Sequence, residues 1–245
     1  MRAHKDEERR QKMKVTLNHY TPLVVCSDAI RTCWQSGDKS DTKEARDIYA
    51  TECIMEGDFE FRTDHITGEK DRTLIDRVGN KNKHASTLEH LTYSFYIDGI
   101  SRALLQELAR HRMASLSVKS TRYTLKELKY ENPFIVGDLE SMNQAQKYVK
   151  FTGEKTVDMA SVKALEELRI ILESGVSNDI AKYCLPESYK TSLTWTINAR
   201  SLQNFLFLRS DKAALWEIRD LAHALYDSLP LDHQYLFEAH IKEGV

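Results

Sequence analysis

The sequence has little glycine and proline, with nine glycines and four prolines in 245 residues. It contains neither a GxGxxG segment nor a Walker-type loop. The glycine-rich backbone cradles that hold the phosphates of many nucleotides are therefore excluded, and side chains must do much of the work of holding any dinucleotide. The same scarcity leaves no flexible linker, and no internal repeat is present, so we predict one folded domain over residues 15–245.

The sequence also lacks a large excess of charge of one sign, paired cysteines and long apolar runs. A formal net charge of −2 argues against a broad nucleic-acid-binding surface. The four cysteines show neither CxxC pairing nor a zinc-like spacing with histidine, so we expect buried thiols, a reduced cytoplasmic protein and no metal site. No apolar run is long enough to cross a bilayer, so we expect no membrane partner.

The amino-terminal residues 1–14 mix basic side chains with Asp6, Glu7 and Glu8. No apolar segment follows them, as it would in a signal peptide. We therefore predict a charged, disordered extension.

The apolar pattern of the remaining chain predicts both strands and helices. Residues 91–97 and 190–198 alternate apolar and polar side chains, as half-buried strands do. One helix is expected to begin after Thr21 and Pro22, and a second to pass through Ile48 and Ile54. Helical periodicity covers 100–113, 155–173, 178–184, 200–209 and 211–228, with Asp211 as an N-cap. This mixture predicts an α+β fold in a single domain.

The segment ELARHRMASLSVKSTRY, residues 107–123, places Arg110, His111 and Arg112 side by side at the end of a predicted helix. Cations there have an ordinary structural role, because each interacts favourably with the helix dipole by about 0.3–1 kcal/mol. The following serines and threonine, and the guanidinium of Arg122, add donors that suit phosphate. The segment therefore predicts a phosphate-binding loop.

A helical projection of residues 100–113 sharpens this interpretation. It places His111 on the buried face, with Glu107 at the edge of that face. Arg110 and Arg112 then project to opposite flanks. One short segment could therefore contact two ligands, or a ligand and a neighbouring subunit.

Four segments resemble those of the flavin-dependent thymidylate synthases. Arg110-His111-Arg112, seven residues and then Ser120 match the RHRx7S signature of that family. HASTLEH at 84–90, AKYCLP at 181–186 and NARSLQNFLFLR at 198–209 resemble three further family segments, in the same order.

The resemblance implies a single domain with a central, largely antiparallel sheet flanked by helices, as in the thymidylate synthase-complementing-protein fold. It implies a homotetramer with active sites shared between subunits. It also implies that dUMP is converted to dTMP, with methylenetetrahydrofolate as the one-carbon donor, FAD reduced by NADPH as the hydride carrier, and no enzyme nucleophile.

The resemblance also assigns site residues. For FAD it implies contacts from Ser86, Glu89, Arg110, His111, Arg112, Asn198, Arg200 and Asn204. For dUMP it implies Glu107, Arg110, Val118, Lys119, Ser120, Thr121, Arg122, Lys182 and Arg209. Arg122 and Ser120 suit the phosphate, and Arg209 would act catalytically by stabilising negative charge on the uracil. Lys182 stands where the family commonly has arginine, so its contact would be a point charge.

The residues themselves support part of this assignment and leave alternatives open. Helical spacing puts Arg200, Asn204 and Leu208 on one face, a donor-rich strip beside an apolar platform, although Asn204 could instead pair within the core. His84 is a candidate for the folate or proton-transfer region, or a structural residue. A flavin-binding or nucleotide-binding family member without turnover, and a nucleic-acid-binding module, are the alternative functions.

Overall fold

The computed structural model of the protein describes residues 13–58 and 60–242. Its strands form one sheet in the order β1–β2–β4–β3. They are β1 (Lys14–Tyr20), β2 (Thr92–Ser101), β3 (Ala114–Val118) and β4 (Lys190–Asn198). The predicted extension over residues 1–14 falls largely outside the described residues, but Lys14 already belongs to β1.

Neighbouring strands of the sheet run antiparallel. A backbone hydrogen bond joins the end of one strand to the start of its neighbour at each pairing: Thr21 N to Thr92 O (2.9 Å), Ala199 N to Leu91 O (2.8 Å) and Lys119 N to Ser192 O (2.8 Å). The predicted fold class is therefore confirmed, as an α+β fold with an antiparallel sheet flanked by helices.

At least one α-helix lies between each pair of successive strands, and others follow β4. In chain order they are α1 (Leu23–Trp34), α2 (Thr42–Glu56), α3 (Glu69–Ile75), α4 (Arg102–Leu108), α5 (Thr121–Thr124), α6 (Leu139–Ala145), α7 (Lys155–Glu173), α8 (Asn178–Ala181), α9 (Ala199–Arg209), α10 (Trp216–Asp227) and α11 (Leu231–Gln234). Short 3-10 helices include Ala85–His90, Leu125–Tyr130 and Lys182–Cys184. No helix among the described residues is long and apolar enough to cross a membrane.

The alternating sequence of β2 and β4 produces the burial that it predicts. Tyr93, Phe95 and Trp195 are fully buried, whereas the intervening side chains on both strands are half-buried or exposed. The two predicted strands are thus confirmed. The helices that begin after Pro22 and pass through Ile48 are confirmed as well.

The chain divides into two compact units, and each draws on several separate segments. Unit 1 comprises 13–16, Tyr96–Arg112 and Leu116–Trp195. Unit 2 comprises Leu17–Phe95, Met113–Ser115 and 196–242. Since neither unit is a continuous stretch of chain, they are not successive domains.

Unit 1 has an apolar core of its own. The helix α7 packs against the 3-10 helix Leu125–Tyr130. Leu125, Val162 and Leu165 are completely buried within this cluster. The amphipathic pattern of residues 155–173 therefore identified the principal helix of the unit.

Unit 2 contains a buried ion pair. Arg31 on α1 contacts Asp71 on α3, with Nε to Oδ1 at 2.6 Å, and the carboxylate also accepts from Ser40 Oγ at 2.5 Å and Thr42 Oγ1 at 2.6 Å. The side chains of the pair are 7% and 0% exposed. Burial would raise the pKa of Asp71, but these hydrogen bonds outweigh it and hold the pKa below its ordinary value.

The structure corrects two predicted helices. The helix expected over 100–113 ends at Leu108, and the chain turns into β3, a strand that the sequence analysis did not predict. The helix expected from Asp211 begins at Trp216. Asp211 is therefore not its N-cap. Instead, its carboxylate accepts from Ala213 N at 2.8 Å and from Lys242 Nζ at 2.5 Å.

Candidate active site

The Arg110-His111-Arg112 segment of unit 1 lies in the turn after α4. Ser101 Oγ caps the start of that helix by accepting from Leu104 N at 3.0 Å. The helix ends at Leu108, so the helical projection does not extend to His111, and the side chain of Glu107 is 33% exposed. Both arginines are exposed and His111 is half-buried.

The predicted nucleotide loop, residues 118–122, begins at the last residue of β3. Its start is fixed by the Lys119 N to Ser192 O hydrogen bond of 2.8 Å. Its end is held by α5, where Thr124 Oγ1 donates to Ser120 O at 3.1 Å. Both Lys119 and Ser120 are exposed. The backbone of this loop is therefore anchored at both ends while its donors face solvent.

Arg122 is engaged by the segment that follows α7. Its Nε lies 2.7 Å from Asp179 Oδ1 and its Nη2 lies 3.4 Å from Oδ2, while Asn178 Nδ2 donates to Arg122 O at 2.7 Å. Lys182 stands three residues beyond Asp179 and is half-buried, with Nζ 5.9 Å from the Tyr183 ring centroid. The structure thus brings the loop next to the segment that carries Lys182.

Asp179 is a contact that the sequence analysis missed. The side chain of Asp179 is 54% exposed and that of Arg122 is 59% exposed, so the ion pair is accessible to a competing anion. The only sequence signal was the position of this acidic residue, two residues before the AKYCLP segment.

In unit 2, the NARSLQNFLFLR segment forms the helix α9. Asn198 is its N-cap, with Oδ1 accepting from Ser201 N at 2.9 Å. Leu202, Phe205 and Leu206 are buried. The capping contact occupies the amide oxygen of Asn198, so its NH₂ group is the part left to contact a ligand.

The opposite face of α9 is exposed. Arg200 and Asn204 lie there, beside Phe207 and Leu208, which are each 49% exposed. The predicted donor-rich strip next to an apolar platform is therefore present, and Asn204 is not a core residue. Arg209, at the end of the helix, is half-buried.

The HASTLEH segment of unit 2 contacts this strip. Ser86 and Glu89 are exposed on the 3-10 helix Ala85–His90, which packs against α9. Glu89 Oε1 accepts from Arg200 Nη1 at 2.7 Å. Two segments that are 111 residues apart are thereby joined at one exposed surface, while His84 is exposed at its margin.

The cysteines differ in part from expectation. All four thiols are free, but Cys33 and Cys184 are exposed, so the prediction of burial is wrong for these two. Cys26 is buried, and burial raises the pKa of its thiol to about 12. Within the described ranges, no cluster of histidine, cysteine and acidic side chains could hold a metal ion.

Comparisons with known proteins point in one direction. A model of the family described as thymidylate synthase complementing protein matches residues 16–230. A flavin-dependent thymidylate synthase from Wolinella succinogenes is 61% identical over 225 residues, covering 92% of this chain and 97% of that protein. Another from Helicobacter pylori is 52% identical over 231 residues, covering 94% of this chain and 100% of the relative. A crystal structure of thymidylate synthase X from Helicobacter pylori with FAD and dUMP has a TM-score of 0.81 at 50% identity, covering 95% of this chain and 100% of that one.

Proposed function

Because the chain belongs to the thymidylate synthase complementing protein family, the flavin-dependent thymidylate synthases, we propose that it converts dUMP to dTMP. In this proposal methylenetetrahydrofolate is the one-carbon donor, and FAD reduced by NADPH is the hydride carrier. Bound FAD would supply the hydride that completes the new methyl group. The observation that supports this proposal is the exposed strip of α9, joined to Glu89 by the Arg200 ion pair, in a chain half identical to one crystallised with FAD and dUMP.

The residues of unit 2 fit a flavin. Arg200 keeps one nitrogen on Glu89, which fixes its guanidinium while the remaining donors stay available for phosphate or a ring oxygen. Asn204 and the NH₂ group of Asn198 add amide contacts, and Leu208 offers an apolar surface. Ser86 lies beside Glu89 as a further donor. In unit 1, Arg110, His111 and Arg112 are further proposed flavin contacts, and the exposed side chains of the two arginines are accessible.

For dUMP, we assign the phosphate to Ser120 and Arg122. Asp179 occupies Nε and Nη2 of Arg122, which leaves Nη1 to bind a phosphate oxygen without breaking the ion pair. Lys182 would add a point charge from the adjacent turn. Glu107, Arg110 and the backbone groups of Val118, Lys119 and Thr121 complete the proposed nucleotide contacts.

Arg209 is the proposed catalytic residue. Negative charge develops on the uracil as its C5 becomes nucleophilic, and a guanidinium placed there stabilises that charge. Arginine is not a general base near neutral pH, so its contribution is electrostatic. Ser120 Oγ has no carboxylate or imidazole partner within the described residues, so no group is placed to activate it as a nucleophile.

We also propose a homotetramer whose active sites are shared between subunits. The flavin and nucleotide residues are predominantly exposed in the single chain, as residues that complete a site in a neighbouring subunit must be. Light scattering coupled to size-exclusion chromatography tests this directly, and a stable monomer that retains full activity would contradict it.

The catalytic proposal is tested with purified protein. It should show a flavin absorption spectrum that NADPH bleaches, and it should form dTMP only when dUMP, methylenetetrahydrofolate and NADPH are all present. Arg209→Ala should lower turnover by about 100-fold while flavin binding persists. The matched control Arg62→Ala, at an arginine whose side chain is 79% exposed, should have wild-type turnover.

Two results would overturn these assignments. A colourless protein that takes up no FAD on reconstitution would exclude flavin chemistry. Loss of turnover in Cys184→Ser, with flavin and dUMP still bound, would contradict a mechanism without an enzyme nucleophile, because Cys184 is an exposed thiol beside Lys182.

A further inference from the structure

A cavity of about 400 Å³ opens at one end of the sheet, within unit 1. The antiparallel order brings together the start of β1, the end of β2, the start of β4 and the end of β3 at this end. Lys14, Asp98, Lys119 and Lys190 reach the cavity from these four strand ends. Its volume lies in the range of small-molecule sites, about 300–1,000 Å³.

The cavity is rich in cations. Four lysines, Lys14, Lys119, Lys147 and Lys190, line it together with two carboxylates, Asp98 and Glu127, which leaves an excess of two positive charges. Lys190 Nζ donates to Gln146 O and is thereby held in place.

The other three cavity lysines are exposed. Across the described ranges, none of them forms an ion pair with Asp98 or Glu127. Their charge is therefore available to a ligand.

We propose that this cavity binds a small multivalent anion that carries phosphate or carboxylate groups together with hydrogen-bond donors. Lysine ammonium groups bind both kinds of anion as point charges. Asp98 and Glu127 accept hydrogen bonds only, so they select for hydroxyl or amide N–H groups on the same ligand. A phosphorylated sugar and a chain of linked glutamates share this chemistry.

The cavity is adjacent to the proposed nucleotide loop. Lys119 and Thr124, which both line it, bracket residues 120–122, and Thr124 Oγ1 is bonded to Ser120 O at 3.1 Å. An anion that fixes Lys119 and Thr124 therefore also fixes the loop. We expect it to raise the affinity for dUMP, and dUMP must raise the affinity for the anion by the same factor. This coupling rests on the proposed function, whereas anion binding does not.

The binding test uses the full chain without dUMP. Isothermal titration with inorganic pyrophosphate, and separately with triglutamate, is carried out at constant ionic strength. Lys14→Gln and Lys147→Gln should each weaken binding by about tenfold. Lys163→Gln, at an exposed lysine of α7 outside the cavity, should leave it unchanged.

The outcome identifies the source of the anion. Saturable binding of pyrophosphate alone indicates a phosphorylated ligand, and binding of triglutamate alone indicates a polycarboxylate. Absence of saturable binding by either probe, or equal binding by the cavity variants and Lys163→Gln, would overturn the proposal.

A second titration separates the cavity from the proposed function. The dissociation constant of dUMP is measured with and without a saturating amount of the probe that binds, and we expect tighter dUMP binding in its presence. An unchanged dUMP affinity would refute the coupling. If the chain binds the probe in a lysine-dependent manner but binds no dUMP, the nucleotide assignment is wrong and the proposal of an anion-binding cavity is retained.

Discussion

Replacing His233 with glutamine should make the stability of the protein less sensitive to acid. His233 is 1% exposed, and its Nδ1 lies 2.7 Å from Tyr93 Oη. The rings of Tyr20 and Tyr93 meet it edge to face, with centroids at 5.1 and 5.7 Å. Burial lowers the pKa of His233 from 6.5 to about 4, an effect that Asp232 opposes and Arg72 reinforces.

The direction and the size of the effect of pH on stability follow from this pKa shift. Below about pH 6.5, His233 binds a proton in the unfolded chain but not in the folded chain. The stability that neutral His233 contributes is therefore fully present above that pH and is lost as the pH falls toward about 4. At about 1.4 kcal/mol per pKa unit, the loss is about 2 kcal/mol between about pH 7.5 and pH 5, and about 3 kcal/mol once both states are protonated.

Urea unfolding of wild type and His233→Gln at these two pH values measures the effect. The variant retains an acceptor for Tyr93 but does not titrate, so its free energy of unfolding should change by about 2 kcal/mol less than that of wild type. The control His19→Gln, at an exposed histidine, should behave as wild type. An identical pH dependence in wild type and His233→Gln would refute the reasoning.

Three further substitutions test contacts elsewhere. Asp71→Ala should cost about 3–5 kcal/mol of stability, because it leaves the buried guanidinium of Arg31 without its partner; a loss below about 1 kcal/mol in urea unfolding would contradict this. Thr191→Val should stabilise the protein by about 1 kcal/mol, since Thr191 is 4% exposed and its Oγ1 has no hydrogen-bond partner among the described residues. Lower stability of that variant would indicate a contact for the hydroxyl. Asp179→Asn should lower the KM for dUMP by up to about fivefold, the value of an exposed ion pair, because it removes a negative charge that lies beside the proposed phosphate site. A higher KM would show instead that Asp179 positions the guanidinium.

Strands with one buried face could be predicted from the sequence, and the edge strands could not. In β2 and β4 the buried side chains are large and apolar, so their alternation with polar residues can be recognised in the sequence. β1 reads KVTLNHY and is half exposed, so it carries little apolar signal. β3 reads ASLSV and follows an apolar helix after a short turn, and the periodicity of that helix hid the point where the chain turns. The end of a helix depends on what the next segment pairs with, and that partner, β4, lies far along the chain.

The candidate site, too, could be predicted only in part from the sequence. Residue types and local spacing identified the exposed face of α9, because helix geometry alone places Arg200 and Asn204 together. The Glu89–Arg200 and Arg122–Asp179 ion pairs join residues 111 and 57 positions apart. No local pattern encodes such contacts. The cationic cavity was hidden for the same reason, since its lysines are dispersed between positions 14 and 190.

The position of β4 in the sheet has a consequence for biosynthesis. It pairs with both β2 and β3, yet it is the last strand to leave the ribosome. Until residues 190–198 emerge, β3 has no strand to pair with and β2 keeps an open edge, which is a surface prone to aggregation. The sheet therefore closes only after residues 190–198 have been made, and a nascent chain that stalls before Lys190 should depend on chaperones to remain unaggregated.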